Sequence, residues 1–276
     1  MFNALTIDLE DWYQGLTSTG KQVERWSSFE DRVVESSERL LGLLAAAGVK
    51  ATFFVLGYVA NQFPGLIKTI ADSGHEIGLH SYYHRRVIHL SPEEFRADLT
   101  KGLSAVENSS GKKVVGYRAP MFSIDTSKRW ALEILRDEGF LYDSSIFPIR
   151  NPYYGAPDAP RFPFFPFKGE HFVEFPLSTV RLLGINWPVA GGFYMRLYPY
   201  PVFKRGIKSI NQEGQPAIIY LHPWDIDPGQ PRPNPSLREQ FTHYYNLNSA
   251  QEKFSNLLQD FKFTPLCNLL DHFTTT

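Results

Sequence analysis

Glu76-Ile77-Gly78-Leu79-His80-Ser81-Tyr82-Tyr83-His84 is a short, mostly apolar run that ends in two histidines four residues apart. Residues 76 to 79 predict a buried strand. The pair just past its end can set both imidazoles on one side of a helical or helix-like turn, where they could share a divalent metal. With eight histidines in the chain, such a spacing arises easily by chance. Two ligands also leave a metal centre incomplete. The pair therefore matters only if the fold brings it a carboxylate, an acid, a base and an oxyanion donor.

The flanking sequence predicts such a fold. Ala4 to Ile7 is an apolar strand that releases Asp8-Leu9-Glu10-Asp11 at its C-terminal end. Val33, Val34, Ser37, Leu40, Leu41 and Leu44 recur at helical spacing, and Gly48 closes that helix. A strand over 50–56, a helix over 64–73 and the strand over 76–79 follow. Ser91-Pro92-Glu93-Glu94 is a capping box that opens a helix to about Asn108. A strand over 114–117 runs into Arg118-Ala119-Pro120-Met121-Phe122. A helix from Ser127 to Glu138 precedes Phe140 to Asp143. This alternation predicts an α/β fold with a parallel sheet and helices outside it.

Residues 148–170, rich in Pro and Phe, read as an ordered surface loop. A strand over 172–177, a helix over 200–211, a strand over 217–221 ending in His222-Pro223-Trp224-Asp225, and a helix over 249–260 complete the chain. With no repeat or linker, one domain over 1–276 is expected, the stretch after 225 packing on it as a C-terminal extension.

Composition narrows the function. A net charge of −1 gives no electrostatic reason to expect nucleic acid. The single Cys267 excludes an internal disulfide and a cysteine-based zinc site. No apolar run reaches the ~20 residues of a membrane span. With no export signal recognisable at the start, a cytoplasmic protein is expected.

In parallel α/β folds, sites gather at the C-terminal strand ends. Here those ends carry Asp8, Glu10 and Asp11, then His80 and His84, then Arg118, Asp143 and His222. Two His and one carboxylate form a ligand set with room for water and substrate. A spare carboxylate could take a proton from water, and a separate His could protonate a leaving group.

These motifs, in this order, resemble the polysaccharide deacetylases of carbohydrate esterase family 4, which carry the NodB homology domain. The likeness rests on Thr6-Ile7-Asp8-Leu9-Glu10-Asp11, His80-Ser81-Tyr82-Tyr83-His84, Arg118-Ala119-Pro120, Asp143-Ser144 and Leu221-His222, spanning about residues 4–225. Gly191-Gly192-Phe193-Tyr194 and His222-Pro223-Trp224-Asp225 further resemble the subgroup associated with bacterial exopolysaccharide and exosortase systems.

The resemblance implies a distorted (β/α) barrel and hydrolysis of N-acetyl groups on an amino-sugar glycan. It implies a divalent metal on His80, His84 and a carboxylate, zinc being expected and cobalt, nickel, iron or manganese also suited. Asp8 would be the base, held by Arg118. His222 would be the acid, kept cationic by Asp143. The Met121 N–H would face the oxyanion, and Leu221 would wall the acetyl pocket. The first motif departs from the family's adjacent aspartates, so the third ligand is open. A turn after Leu9 would bring in Asp11, the slightly favoured choice. A strand that stays extended would bring in Glu10.

Two other readings compete: a cyclic amide or ureide hydrolase of allantoinase type, and a non-catalytic glycan-binding protein on a degenerate scaffold. Trp12, Trp187 and Trp224 could line a sugar cleft or pack in the core. His75, His89, His171, His243 and His272 match no motif and read as surface or structural. Gly191-Gly192 reads as a tight turn and Cys267 as inert core. Oligomeric state is not legible in the sequence.

Overall fold

The computed structural model describes residues 1–125, 128–151 and 153–274. Its strands are β1 (Asn3–Leu9), β2 (Thr52–Val55), β3 (Glu76–Leu79), β4 (Gly116–Tyr117), β5 (Tyr142–Asp143), β6 (Val173–Glu174), β7 (Thr179–Leu182), β8 (Ile185–Pro188), β9 (Ile218–Leu221) and β10 (Phe263–Thr264). An eight-stranded sheet runs β10-β1-β2-β3-β4-β5-β6, with β9 also on β1. Every one of its pairings is parallel. Such strands are covered on both faces, so they read as apolar runs and not as alternating ones. All seven residues of β1 are buried.

The curved sheet comes round on itself between β6 and β9 without a regular ladder. Ser178 N donates to Ile218 O at 3.3 Å, and Ile218 N donates to Ser178 Oγ at 2.7 Å. Loss of strand pairing at this seam makes the architecture a distorted barrel. β7 and β8 form a separate antiparallel hairpin beside the seam.

The crossover helices begin and end where local chemistry dictates. Helix Val33–Ala47 stops at Gly48, whose φ of 64° belongs to a left-handed cap that a Cβ would strain. Ser91 caps helix Pro92–Ser110, and Glu94 reaches back to the Ser91 N–H. The predicted helix over 127–138 is present as Arg129–Asp137; its expected start, Ser127, lies outside the described residues.

Several elements went unforeseen. Helices Gly57–Gln62, Gly192–Leu197 and Leu237–Tyr244 are short, and so carry few turns of periodicity. Gly191 is not a simple turn residue but the N-cap of helix Gly192–Leu197, with φ 94°. Past residue 225 the chain returns to the barrel, because β10 pairs with the start of β1 and Phe254, Leu257 and Leu266 join the main core. Cys267 opens helix Cys267–Thr274 half-buried; burial and the nearby Glu76 push its thiol up to about 12, so it is protonated at neutral pH. Among the described residues, no helix is long and apolar enough to cross a membrane.

Candidate active site

The end of β1 supplies the third member of the histidine cluster. β1 sets Thr6 and Asp8 on one side, and just past it Glu10, whose N–H donates to Asp8 O at 3.1 Å, brings its carboxylate to the same place. Glu10, His80 and His84 each offer a ligand atom, and these atoms lie within 4.8 Å of one another. Glu10 Oε2 is 2.7 Å from His84 Nε2. Burial opposes the charge on Glu10, yet His84, His222 and His80 together hold its carboxyl down at about 2.

His80 is pushed down to about 4, chiefly by burial, and is neutral at pH 7. Its Nδ1 lies 2.8 Å from Arg118 O. A neutral ring there donates Nδ1–H to the carbonyl, which leaves Nε2 free to bind a metal. The segment after His80 is not helical: Ser81 (φ 66°) and His84 (φ 55°) take left-handed backbone. An irregular turn, and not the helical spacing, brings the rings together, with centroids 5.4 Å apart.

Asp11 does not join this cluster, which corrects the preference for it. Its Oδ1 accepts from Trp12 N at 2.8 Å, and its Oδ2 accepts from Arg32 N at 2.8 Å and Val33 N at 2.9 Å. Gln14 Oε1 in turn accepts from Asp11 N at 2.7 Å. The carboxylate is consumed in capping helix Trp12–Gly15 and the start of helix Val33–Ala47.

Arg118 is fully buried and held on every side. Its Nη1 donates to Asp8 Oδ1 at 2.8 Å and to Thr6 Oγ1 at 2.7 Å; Nε and Nη2 donate to Ser144 O and Oγ. The guanidinium lies 4.3 Å from the Phe54 ring centroid. A guanidinium fixed this way can orient Asp8 within narrow limits through one charge-assisted hydrogen bond.

His222 has a different partner from the one expected. Its Nδ1 is 2.9 Å from Asp225 Oδ2, which also accepts from His222 N at 2.9 Å. Arg196 grips the other oxygen of Asp225, through Nε at 3.1 Å and Nη2 at 2.9 Å. Burial works against the imidazolium, but Asp225 and then Glu10 raise His222 above the usual histidine range. Asp225 itself is held down at about 2, against burial, by Arg196 and His222.

Asp143 instead lies under the site, opposite Glu174 in the β5–β6 register. Its Oδ1 accepts from Ser145 Oγ at 2.5 Å, and Ser145 Oγ accepts from Ala119 N at 2.7 Å. Asp143 thus supports the turn after β4. Burial raises both its carboxyl and that of Glu174.

Leu221 is a second correction. It is buried and pairs with Ile7, while Tyr220 and His222, alternating with it, are the residues that line the cleft. Met121 also lines the cleft, from a turn in which both Met121 (φ 54°) and Phe122 (φ 48°) are left-handed. Two such non-glycine residues in succession cost about 1–3 kcal/mol each and cluster at functional turns.

The cleft, about 250 Å³, is walled by Tyr153, Tyr154, Phe193, Tyr194, Tyr220 and Trp224. The loop over 148–170 therefore contributes Tyr153 and Tyr154 to it. Trp224 is stacked between His222 (centroids 4.2 Å) and His243 (3.9 Å) and points Nε1 at Glu10 Oε1, 3.4 Å away. His243 is thus a buried cleft residue, its Nε2–H donating to Gln230 Oε1 at 2.7 Å. Trp12 belongs to the core, with Nε1 donating to Glu30 O, and Trp187 stands on the β7–β8 hairpin outside the cleft. His75 is structural, its Nδ1 accepting from Ala51 N, and His89 and His171 are exposed. The side chain of His272 lies outside the described residues.

Two imidazoles and a carboxylate beside an open aromatic cleft define a class: a parallel α/β barrel with a candidate hydrolytic metal centre. Residues 18–138 match the polysaccharide deacetylase family, and residues 144–271 match a domain of unknown function, DUF3473. A peptidoglycan deacetylase-like protein of Gibberella zeae is 39% identical over 110 residues, 39% of this chain and 32% of that protein. A peptidoglycan-N-acetylglucosamine deacetylase of Bacillus cereus is 34% identical over 101 residues, 36% of this chain and 37% of that protein. These matches thus span about a third of the curated relatives. A putative polysaccharide deacetylase from Mycobacterium smegmatis shares the fold, with a TM-score of 0.63, 22% identity, and coverage of 98% of this chain and 88% of that one. Over residues 18–138 the chain is thus similar to polysaccharide deacetylases, and the DUF3473 match covers most of the remainder.

Proposed function

We propose that the protein hydrolyses N-acetyl groups of an amino-sugar glycan, releasing acetate, with a divalent metal held by Glu10, His80 and His84. The observation that carries this reading is the convergence of those three ligand atoms within 4.8 Å at the strand ends. The donor chemistry fits a metal: Glu10 is ionised and His80 is neutral, with its remote nitrogen already engaged. Two histidines and a carboxylate suit zinc in particular.

When bound, the metal would polarise the acetyl carbonyl and make water more acidic. Asp8, oriented by Arg118, takes a proton from the attacking water. The Met121 N–H is assigned to the developing oxyanion. His222, oriented by Asp225, which favours its protonated form, gives its Nε2 proton to the departing sugar amine. The aromatic walls suit sugar rings, whose C–H faces pack on such side chains. They favour a glycan over a compact ureide. An intact ligand set, base and acid favour a catalyst over a glycan-binding relic.

A polysaccharide or lipid-linked glycan in exopolysaccharide synthesis, met before export, is the substrate this reading assigns, and fractionation of the native protein checks the compartment. Acetate release from N-acetylglucosamine oligomers, with zinc restored after chelation, tests the activity. Acetate release that is unchanged in Asp8→Asn would overturn the mechanism.

A further inference from the structure

Four large apolar side chains stand in solvent at the end of the β7–β8 hairpin. Leu182 is 58% exposed, Leu183 92%, Ile185 57% and Trp187 50%. The register sets Leu182 opposite Ile185 and Val180 opposite Trp187. Alternation puts Val180, Leu182, Ile185 and Trp187 on one face of the hairpin, with Leu183 in the turn at its end, and leaves Arg181 and Asn186 on the other. The apolar face continues onto the neighbouring helix Tyr200–Gln212. A Cβ on Gly206 would meet Val180 Cγ2 at 3.5 Å, and Val202, one turn earlier, is 56% exposed. Arg181, next to the hairpin end, and Arg205, three residues along the helix from Val202, are exposed beside this patch.

The hairpin is held out rigidly. At its base Arg161 Nη2 donates to Thr179 O at 2.7 Å, and Val189 N donates to Ser178 O at 3.1 Å. Along its polar face Asn186 Nδ2 donates to Pro148 O at 2.8 Å. A fixed, convex apolar tip with Leu183 at its apex is not the shape of a groove awaiting a peptide, and contiguous patches of this kind mark interaction surfaces. The cations beside it decide the partner. An isologous contact with a second copy would bring Arg181 and Arg205 of both chains into the same interface, setting like charges together.

We infer that the hairpin docks the protein on an anionic lipid bilayer. Leu182, Leu183 and Ile185 enter the boundary of the acyl chains, Trp187 lies at headgroup level, and Arg181 and Arg205 meet the anionic headgroups. No step of the proposed hydrolysis depends on this contact, and it stands or fails separately from that reading.

The test is co-sedimentation of the full chain with phosphatidylcholine vesicles, with and without phosphatidylglycerol. Binding to the anionic vesicles is expected, weaker at high salt, and Trp187→Phe should remove a blue shift in fluorescence. Leu183→Glu and the pair Leu182→Glu/Ile185→Glu should each lower binding on the order of tenfold or more, since burying a leucine side chain is worth about 1.5–3 kcal/mol. Arg181→Glu/Arg205→Glu should remove the salt-sensitive part. Thermal melting at the wild-type temperature shows that each variant folds. Wild-type protein left in the supernatant with both vesicles would overturn the inference, as would unchanged binding by Leu183→Glu. So would a lipid-free dimer that Leu183→Glu dissociates, because the patch would then be a contact between copies.

Discussion

Asp225→Asn is the substitution that most directly separates the observed site from the one expected from sequence. Asp225 is fully buried and touches His222 twice, through backbone N and ring Nδ1, both at 2.9 Å. At that separation, with an effective dielectric of about 20, the Coulomb attraction is about 6 kcal/mol before desolvation is set against it. Most of that is offset by burial, but what remains keeps His222 raised despite desolvation, with Asp225 the largest favourable influence and Glu10 next. An asparagine keeps the shape and loses the charge.

The acid must be protonated to act, so activity falls as pH rises through the pKa of His222. In Asp225→Asn the descending limb of the pH profile should therefore move to lower pH, and kcat should drop by about 10²-fold or more. Arg196 loses its ion-pair partner, so stability should also fall, by about 3–5 kcal/mol. Acetate release against pH, together with denaturant unfolding, reads both effects at temperatures where the variant is folded. Asp143→Asn is the control: it should leave the limb in place. If Asp143→Asn moves the limb and Asp225→Asn does not, the assignment of Asp225 to His222 is wrong.

Glu10→Gln should lower zinc affinity by about 10²-fold or more, measured by competition with a chromophoric chelator, whereas Asp11→Asn should leave affinity in place and cost about 1–2 kcal/mol of stability through its caps. Asp225 and Glu10 both have carboxyls held below their unfolded values, at about 2. Their stabilisation is present above about pH 4.5 and is lost as pH falls towards 2, so metal-free protein should lose on the order of 2 kcal/mol per group over that window, read from chemical unfolding at stepped pH. Gly192→Ala should reduce both stability and kcat, because its Cβ would sit 2.0 Å from Asp225 Oδ2, and the two losses can be measured on one preparation.

The parallel sheet was legible because its strands are buried on both faces, and the order of chemistry at their ends was legible because parallel strands all point the same way. The short hairpin, the three-turn-or-less helices and β10 were not, since elements so short carry too little periodicity to register. His243 and Tyr220 could not be placed in the cleft from sequence either. What puts them there is packing between segments far apart in the chain, Trp224 against His243 and Gly191 against Tyr220.

The misassigned Asp11 and the overlooked Asp225 share one cause, and it is local. Asp11-Trp12-Tyr13-Gln14 has an N-cap acid with Gln three residues on, the pattern of a capping box, and the structure uses it as one. His222-Pro223-Trp224-Asp225 repeats the pattern with proline at the first helical position, so that Asp225 turns back onto the His222 backbone N–H. In the first case the cap removes a carboxylate from the metal cluster and leaves the ligand position to Glu10. In the second the cap delivers a carboxylate to the acid, because the oxygen that holds the backbone N–H is also within reach of Nδ1 of the same residue. The helix starts that follow β1 and β9 thus decide which acidic side chains face the cleft, and a single turn of backbone hydrogen bonding separates a metal ligand from a structural cap.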